Sequence, residues 1–207
     1  VEKIRGFNDE EKEKIKLLLL EKGKTEFEEK GVKNIKVSDL SKSVGIATGS
    51  FYAFYESKEE LFYEVILNEF RKLEPLFETV FSQKDNPKQM LKIFMLNAVE
   101  GFRESPFNRI AYDKEVFIQL SKKIPVEKLE FAYYFAINLL IKHLKIWQDE
   151  RIISANLDLD VTARLMTTVL FDISSHNDME YVDEFHKKML ETVVDYFVEG
   201  IFREGAK

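Results

Sequence analysis

Apolar residues recur at helical spacing along the whole chain, and the polar residues between them mark where each helix stops. Ile15, Leu19, Gly23 and Phe27 fall every four residues, with Leu18 widening the stripe. Asn8 or Asp9 stands at the cap position, and Glu10, Glu11 and Glu13 follow where negative charge favours the dipole. Gly31 ends this first helix, and Gly23 within its stripe predicts a tight helix crossing. Val37, Leu40 and Val44 repeat at i, i+3 and i+7 over a second, short helix, about 37–44. A third runs from Thr48 to about Tyr55. Ser57, followed by Glu59 and Glu60, caps a fourth that carries Leu61, Phe62, Val65, Ile66, Phe70 and Leu73. Pro75 should kink or end it. Five more helices follow, at about 87–104, 108–122, 126–150, 161–175 and 181–203, with Asp158 or Asp160 capping the fourth of these. The pattern predicts an all-α chain of about nine helices.

The segment from Gly45 to Lys58 organises the rest. Gly45 closes the second helix, where a left-handed residue costs glycine least. At about 100° per residue, Phe51 and Tyr55 share one face of the third helix, opposite the small residues Gly49, Ser50 and Ala53. Thr48 and Tyr52 flank the small face on one side and Phe54 on the other. Two short helices joined through a glycine turn form a helix-turn-helix, whose second helix enters the DNA major groove.

Residues Ile15 to Leu61 resemble the amino-terminal domain of the TetR family of transcriptional regulators. The resemblance lies in an ordered set: Phe27 and Gly31, then Val37-Ser38-Asp39-Leu40, then Gly45-Ile46-Ala47. Gly49-Ser50-Phe51-Tyr52 follows, then Tyr55 and Ser57-Lys58-Glu59-Glu60-Leu61. Gly23 departs from the family, which has a small alanine there. The resemblance implies a three-helix DNA-binding head, residues 1–55, and a helical effector-binding and dimerisation body, residues 56–207, with helix 4 (58–80) as connector. It implies a homodimer that binds a palindromic operator and is released by a small molecule. The tyrosine at position 52 matches one that gives its hydroxyl to a phosphate.

Composition changes this picture in two places. The net charge of −6 argues at first against DNA, but the distribution is uneven. In residues 30–58 five lysines (Lys30, Lys33, Lys36, Lys42, Lys58) stand against Asp39 and Glu56. Lys58 at the start of helix 4 opposes the dipole there, which suits a nearby phosphate. The chain has no cysteine, so disulfides and thiol chemistry are excluded. No apolar run is long enough to span a bilayer and no signal-peptide pattern opens the chain, so a cytoplasmic location is expected.

The DNA-binding candidates are Lys36, Ser38, Thr48, Gly49, Ser50, Tyr52, Ala53, Phe54 and Lys58. The third helix presents no Arg, Lys, Asn or Gln on its outer face, which predicts A·T-rich contacts and reading of DNA shape. Aromatic, Met and scattered polar residues of the body suit a cavity for a largely apolar effector. The candidates there are Phe94, Asn97, Phe102, Tyr112, Phe117, Tyr134, Asn138, His143, Trp147 and Met166. The last two helices are apolar on more than one face and need a second partner. Leu170, Ile173, Phe185, Met189, Val193 and Phe197 are expected in a dimer interface.

No metal, cofactor or catalytic residue is expected. Asp172 with His176 and Asp183 with His186 are each one helical turn apart, but paired Glu-x-x-His motifs are missing. No P-loop, dinucleotide fingerprint or nucleophile elbow appears. The sequence therefore points to a ligand-responsive, DNA-binding repressor rather than an enzyme. A small-molecule binding protein with a degenerate head is the alternative.

Overall fold

The computed structural model describes residues 7–175 and 183–202, except the side chains at 133, 171, 173–175, 183 and 186. Within those residues the chain is helical, without strands, and forms eleven helices. They are α1 (Asp9–Asn34), α2 (Val37–Ser43), α3 (Thr48–Phe51), α4 (Lys58–Arg71), α5 (Glu74–Phe81) and α6 (Pro87–Glu104). Then come α7 (Pro106–Ala111), α8 (Lys114–Leu120), α9 (Val126–Asp149), α10 (Leu159–Ser175) and α11 (Asp183–Ile201).

The count exceeds nine because two expected helices are each split. The run over 58–80 becomes α4 and α5, since α4 ends at Arg71 and Pro75 lies in the first turn of α5. A proline there forfeits no hydrogen bond, because first-turn N–H groups have no helical acceptor. The run over 108–122 breaks at Asp113, whose carboxylate accepts the amides of Glu115 (2.8 Å) and Val116 (3.0 Å) and so starts α8 afresh. The expected turn at Asn177-Asp178 and the first residues of the last helix lie outside the described residues.

Two compact units emerge. The first comprises residues up to Glu69 together with Pro106–Ala132. Leu19, Phe27, Ile35, Leu40, Phe51, Leu61, Phe62 and Phe107 are its fully buried side chains of greatest size. Phe62 meets Phe27 edge-on at 4.8 Å between ring centroids and Phe107 at 5.3 Å. Lys24 places its ammonium 5.8 Å from the Phe107 ring and pairs with Glu69 at 2.7 Å. Gln119 on α8 donates to the buried Glu59 carboxylate at 2.8 Å. These contacts place α7 and α8 in the same unit as the helix-turn-helix, although the sequence division assigns them to the body. Gly23 is buried against Leu61, where an added Cβ would lie 3.2 Å from Cδ2, the tight crossing its position predicts.

The second unit comprises Phe70–Ser105 and the chain from Tyr133 on. α6 packs against α5, α10 and α11 around a core that includes Phe77, Phe81, Leu91, Met95, Leu144, Trp147 and Val194. Trp147 donates its indole N–H to the Phe81 carbonyl at 2.9 Å, so its polar edge is satisfied inside the core. Near the end of α9, Gln148 donates to the carbonyls of Ser154, Ala155 and Leu157 and fixes the loop to α10. Asp158 then caps α10 through the Val161 amide at 3.0 Å.

Candidate nucleic-acid interface

The outer surface of the head is set by what its inner surface buries. Leu40 on α2 and Phe51 on α3 are fully buried, and Tyr55 nearly so. The Phe51 ring lies 6.0 Å from that of Tyr55, tilted against it, and edge-on to Tyr52 at 5.7 Å. Between the helices, Gly45 takes φ +75°, and its N–H reaches the Lys42 carbonyl at 3.1 Å. Gly31 takes φ +70° and interrupts α1 near its end. Both are left-handed positions that favour glycine.

With Phe51 anchored inward, Thr48, Gly49, Tyr52 and Ala53 are exposed and Ser50 is half-buried. The Tyr52 side chain is the most prominent, at 58% exposure. α3 itself is a single turn. Beyond Phe51 the chain continues in tighter turns, with Ala53 N–H to Ser50 O at 3.1 Å and Phe54 N–H to Phe51 O at 2.9 Å. An added Cβ at Gly49 would meet nothing, so packing within the chain does not demand a glycine there.

The remaining head candidates divide. Lys36 and Ser38, at the start of α2, are exposed, and the Lys36 N–H caps back onto the Asp39 carboxylate at 3.3 Å. Phe54 is half-buried, its ring 5.8 Å from that of Phe7, so part of its apolar surface is already covered. Lys58 is half-buried, and its ammonium donates to the carbonyls of Lys33 (3.0 Å) and Ile35 (2.8 Å). Of the other lysines in the basic window, Lys30 pairs with Glu26 at 2.5 Å, while Lys33, Lys36 and Lys42 are exposed.

The effector candidates do not fall in one place. Tyr112 and Phe117 are exposed and belong to the first unit, whereas the other eight belong to the second. There, Asn97 and Asn138 are exposed, Phe102 and Tyr134 are half-buried, and Phe94, His143, Trp147 and Met166 are buried. Phe94 and His143 share a ring cluster with Phe77, Phe81 and Trp147, with His143 5.0 Å from Phe81 and 5.8 Å from Phe77. The His143 Nε2 is buried without a hydrogen-bond partner. Burial lowers its pKa, Lys142 lowers it further, and Glu78 opposes them. Arg164 lies over the Tyr134 ring at 4.7 Å and pairs with Asp160 at 2.8 Å, contacts the sequence pattern does not reveal.

Of the interface candidates, Leu170, Met189, Val193 and Phe197 are half-buried and Phe185 is 71% exposed. The Ile173 side chain lies outside the described residues, as do His176 and the His186 and Asp183 side chains. Val161 (50% exposed), Leu165 (52%) and Tyr196 (75%) add apolar surface on α10 and α11 beyond the expected interface set. Among the described residues no group of three or more His, Cys, Asp or Glu side chains is placed to hold a metal. None of the described helices is long and apolar enough to cross a membrane.

Residues 19–65 match the family model of bacterial regulatory proteins, tetR family. A search of curated proteins finds no match. Among solved structures, a TetR-family transcriptional regulator from Pectobacterium atrosepticum is similar at a TM-score of 0.71 and 13% identity, covering 97% of this chain and 100% of that one. The transcriptional regulator FadR of Bacillus subtilis, solved with stearoyl-CoA, is similar at 0.65 and 16% identity, over 89% and 98% of the two chains. The fatty acid degradation regulator FadR of Bacillus halodurans aligns at 0.64 and 15% identity, over 96% and 97%.

Proposed function

This chain belongs to the TetR family of bacterial regulatory proteins, and from that premise we propose that it is a repressor that binds a palindromic operator as a homodimer. The observation that carries the reading is the division of α3 and the turns after it. Phe51 is wholly buried, while Thr48, Gly49, Tyr52 and Ala53 are exposed. Tyr52 and Thr48 are assigned to phosphates or base edges, Gly49 and Ala53 to close approach, and Lys36 and Ser38 to the flanking backbone. Exposed Lys33 and Lys42 add positive charge nearby.

A small, largely apolar effector acts on the body, and its binding changes the separation of the two recognition helices. Half-sites lie about 34–36 Å apart, so a shift of a few ångströms costs both their fit. FadR of Bacillus subtilis, with its bound stearoyl-CoA, supports an effector with an apolar acyl portion.

Selection from random DNA tests the reading. The expected product is a palindrome with A·T-rich bases at the α3 contacts, because no Arg, Lys, Asn or Gln lies on that surface. A consensus dominated by G·C pairs at those positions would count against the assignment. Failure to enrich any sequence would favour the alternative, a binding protein whose head no longer reads DNA.

A further inference from the structure

Lys58 begins α4, where a positive charge opposes the helix dipole. Its surroundings resolve the conflict. The ammonium turns away from its own helix and donates to the carbonyls of Lys33 at 3.0 Å and Ile35 at 2.8 Å. Lys33 lies in the last turn of α1 and Ile35 is its C-cap. Carbonyls at a helix end have no intrahelical donor, and a cation there is favoured by both hydrogen bonding and the dipole. One lysine therefore satisfies two carbonyls and leaves one N–H of its three.

The joint it holds is the one that aims the helix-turn-helix. The Ile35 side chain is buried, its N–H bonds the Gly31 carbonyl at 3.3 Å, and its C=O bonds Lys58. Lys36 comes next, and its carbonyl accepts the Leu40 amide at 3.3 Å, starting α2. Loosening this joint frees α2, and α3 follows through the turn at Gly45.

We propose that Lys58 is a positioning residue for DNA recognition, tying the α1–α2 joint to the start of α4 rather than meeting a phosphate. The proposal rests on the reading that the head binds DNA. The test compares wild type, Lys58→Met and Lys58→Arg by operator affinity across a salt series and by hydrogen exchange of the Ile35 amide. Hydrogen bonds from a charged donor of this kind are worth roughly tenfold or more in an equilibrium. Lys58→Met is expected to lower affinity about tenfold at every salt concentration with an unchanged salt slope, and to speed Ile35 exchange by about the same factor. Lys58→Arg, whose fork also reaches two carbonyls, is expected to restore both. A salt slope shallower by about 0.9 for each Lys58 removed, with Ile35 exchange unchanged, would mean a phosphate contact and overturn the proposal. If Lys58→Met does not fold, Lys58→Gln, with an amide that reaches one carbonyl, carries the same comparison. If wild type binds no DNA, the functional reading fails and Ile35 exchange alone judges the clamp.

Discussion

Tyr55 shows how one side chain can be well placed and still under strain. Its ring is needed inside the head, tilted against Phe51, but its hydroxyl is buried there without a hydrogen-bond partner. Burial, with Glu64, Glu60 and Glu13 adding to it, pushes the hydroxyl's pKa upward, so it stays neutral. An unsatisfied buried hydroxyl costs about 1–3 kcal/mol. Tyr55→Phe should therefore stabilise the protein by about 1 kcal/mol in chemical denaturation, with DNA affinity unchanged. Much at this scale was readable beforehand. Gly45 and Gly31 adopt the left-handed backbone their positions require, and Asn8 accepts the Glu11 amide at 2.8 Å as a cap. The role of Lys58 was not readable, because its acceptors are carbonyls more than twenty residues away in sequence.

Among elements, periodicity found the helices, and Pro75 marked the break that separates α4 from α5. It did not reveal the break at Asp113 between α7 and α8, since the apolar pattern continues across it. Nor could it tell a filled core from a cavity. Phe94, Trp147 and Met166 recur at helical spacing in either case, and the structure buries them in the core of the second unit. His143 gives that cluster a pH dependence. It sits neutral among Phe77 and Phe81, with its pKa held below the usual 6.5. The unfolded chain thus takes up a proton first, and stability is full above about pH 6.5 and declines as pH falls from there toward the folded-state value. Replacing His143 with Leu should flatten this part of the stability curve between pH 7 and pH 5, measured by urea unfolding. An unchanged curve would assign the dependence to other groups.

For the molecule as a whole, the sequence division at residue 55 and the compact units describe different things. The first follows the local motif, and the second follows long-range contacts such as Phe62 with Phe107 and Glu59 with Gln119. Sequence patterning has no access to such pairs. The proposed dimer belongs to this scale too. Phe185, Met189, Val193 and Tyr196 fall along one stripe of α11, with Phe185 and Tyr196 largely exposed. Leu190, Val194 and Val198 point the other way into the core. Charge placed on the exposed stripe should leave the fold intact while disfavouring a buried interface. Phe185→Glu with Tyr196→Glu is expected to sediment as a monomer and to lose at least tenfold in operator affinity, since each head then binds its half-site alone. A double variant that remains dimeric would place the interface elsewhere.

The central claim is that the surface presented by α3 reads DNA. Its most direct measurement is binding of the purified protein to labelled DNA from upstream of its own gene, over a range of salt, with and without Tyr52→Ala. The tyrosine is exposed, so the substitution should spare the fold, as its circular dichroism would report. The account predicts tight binding by the wild type that weakens steeply as salt rises, and loss of at least tenfold in affinity for Tyr52→Ala. No binding to that fragment or to a random-sequence pool at low salt, or equal binding by the folded variant, would contradict it.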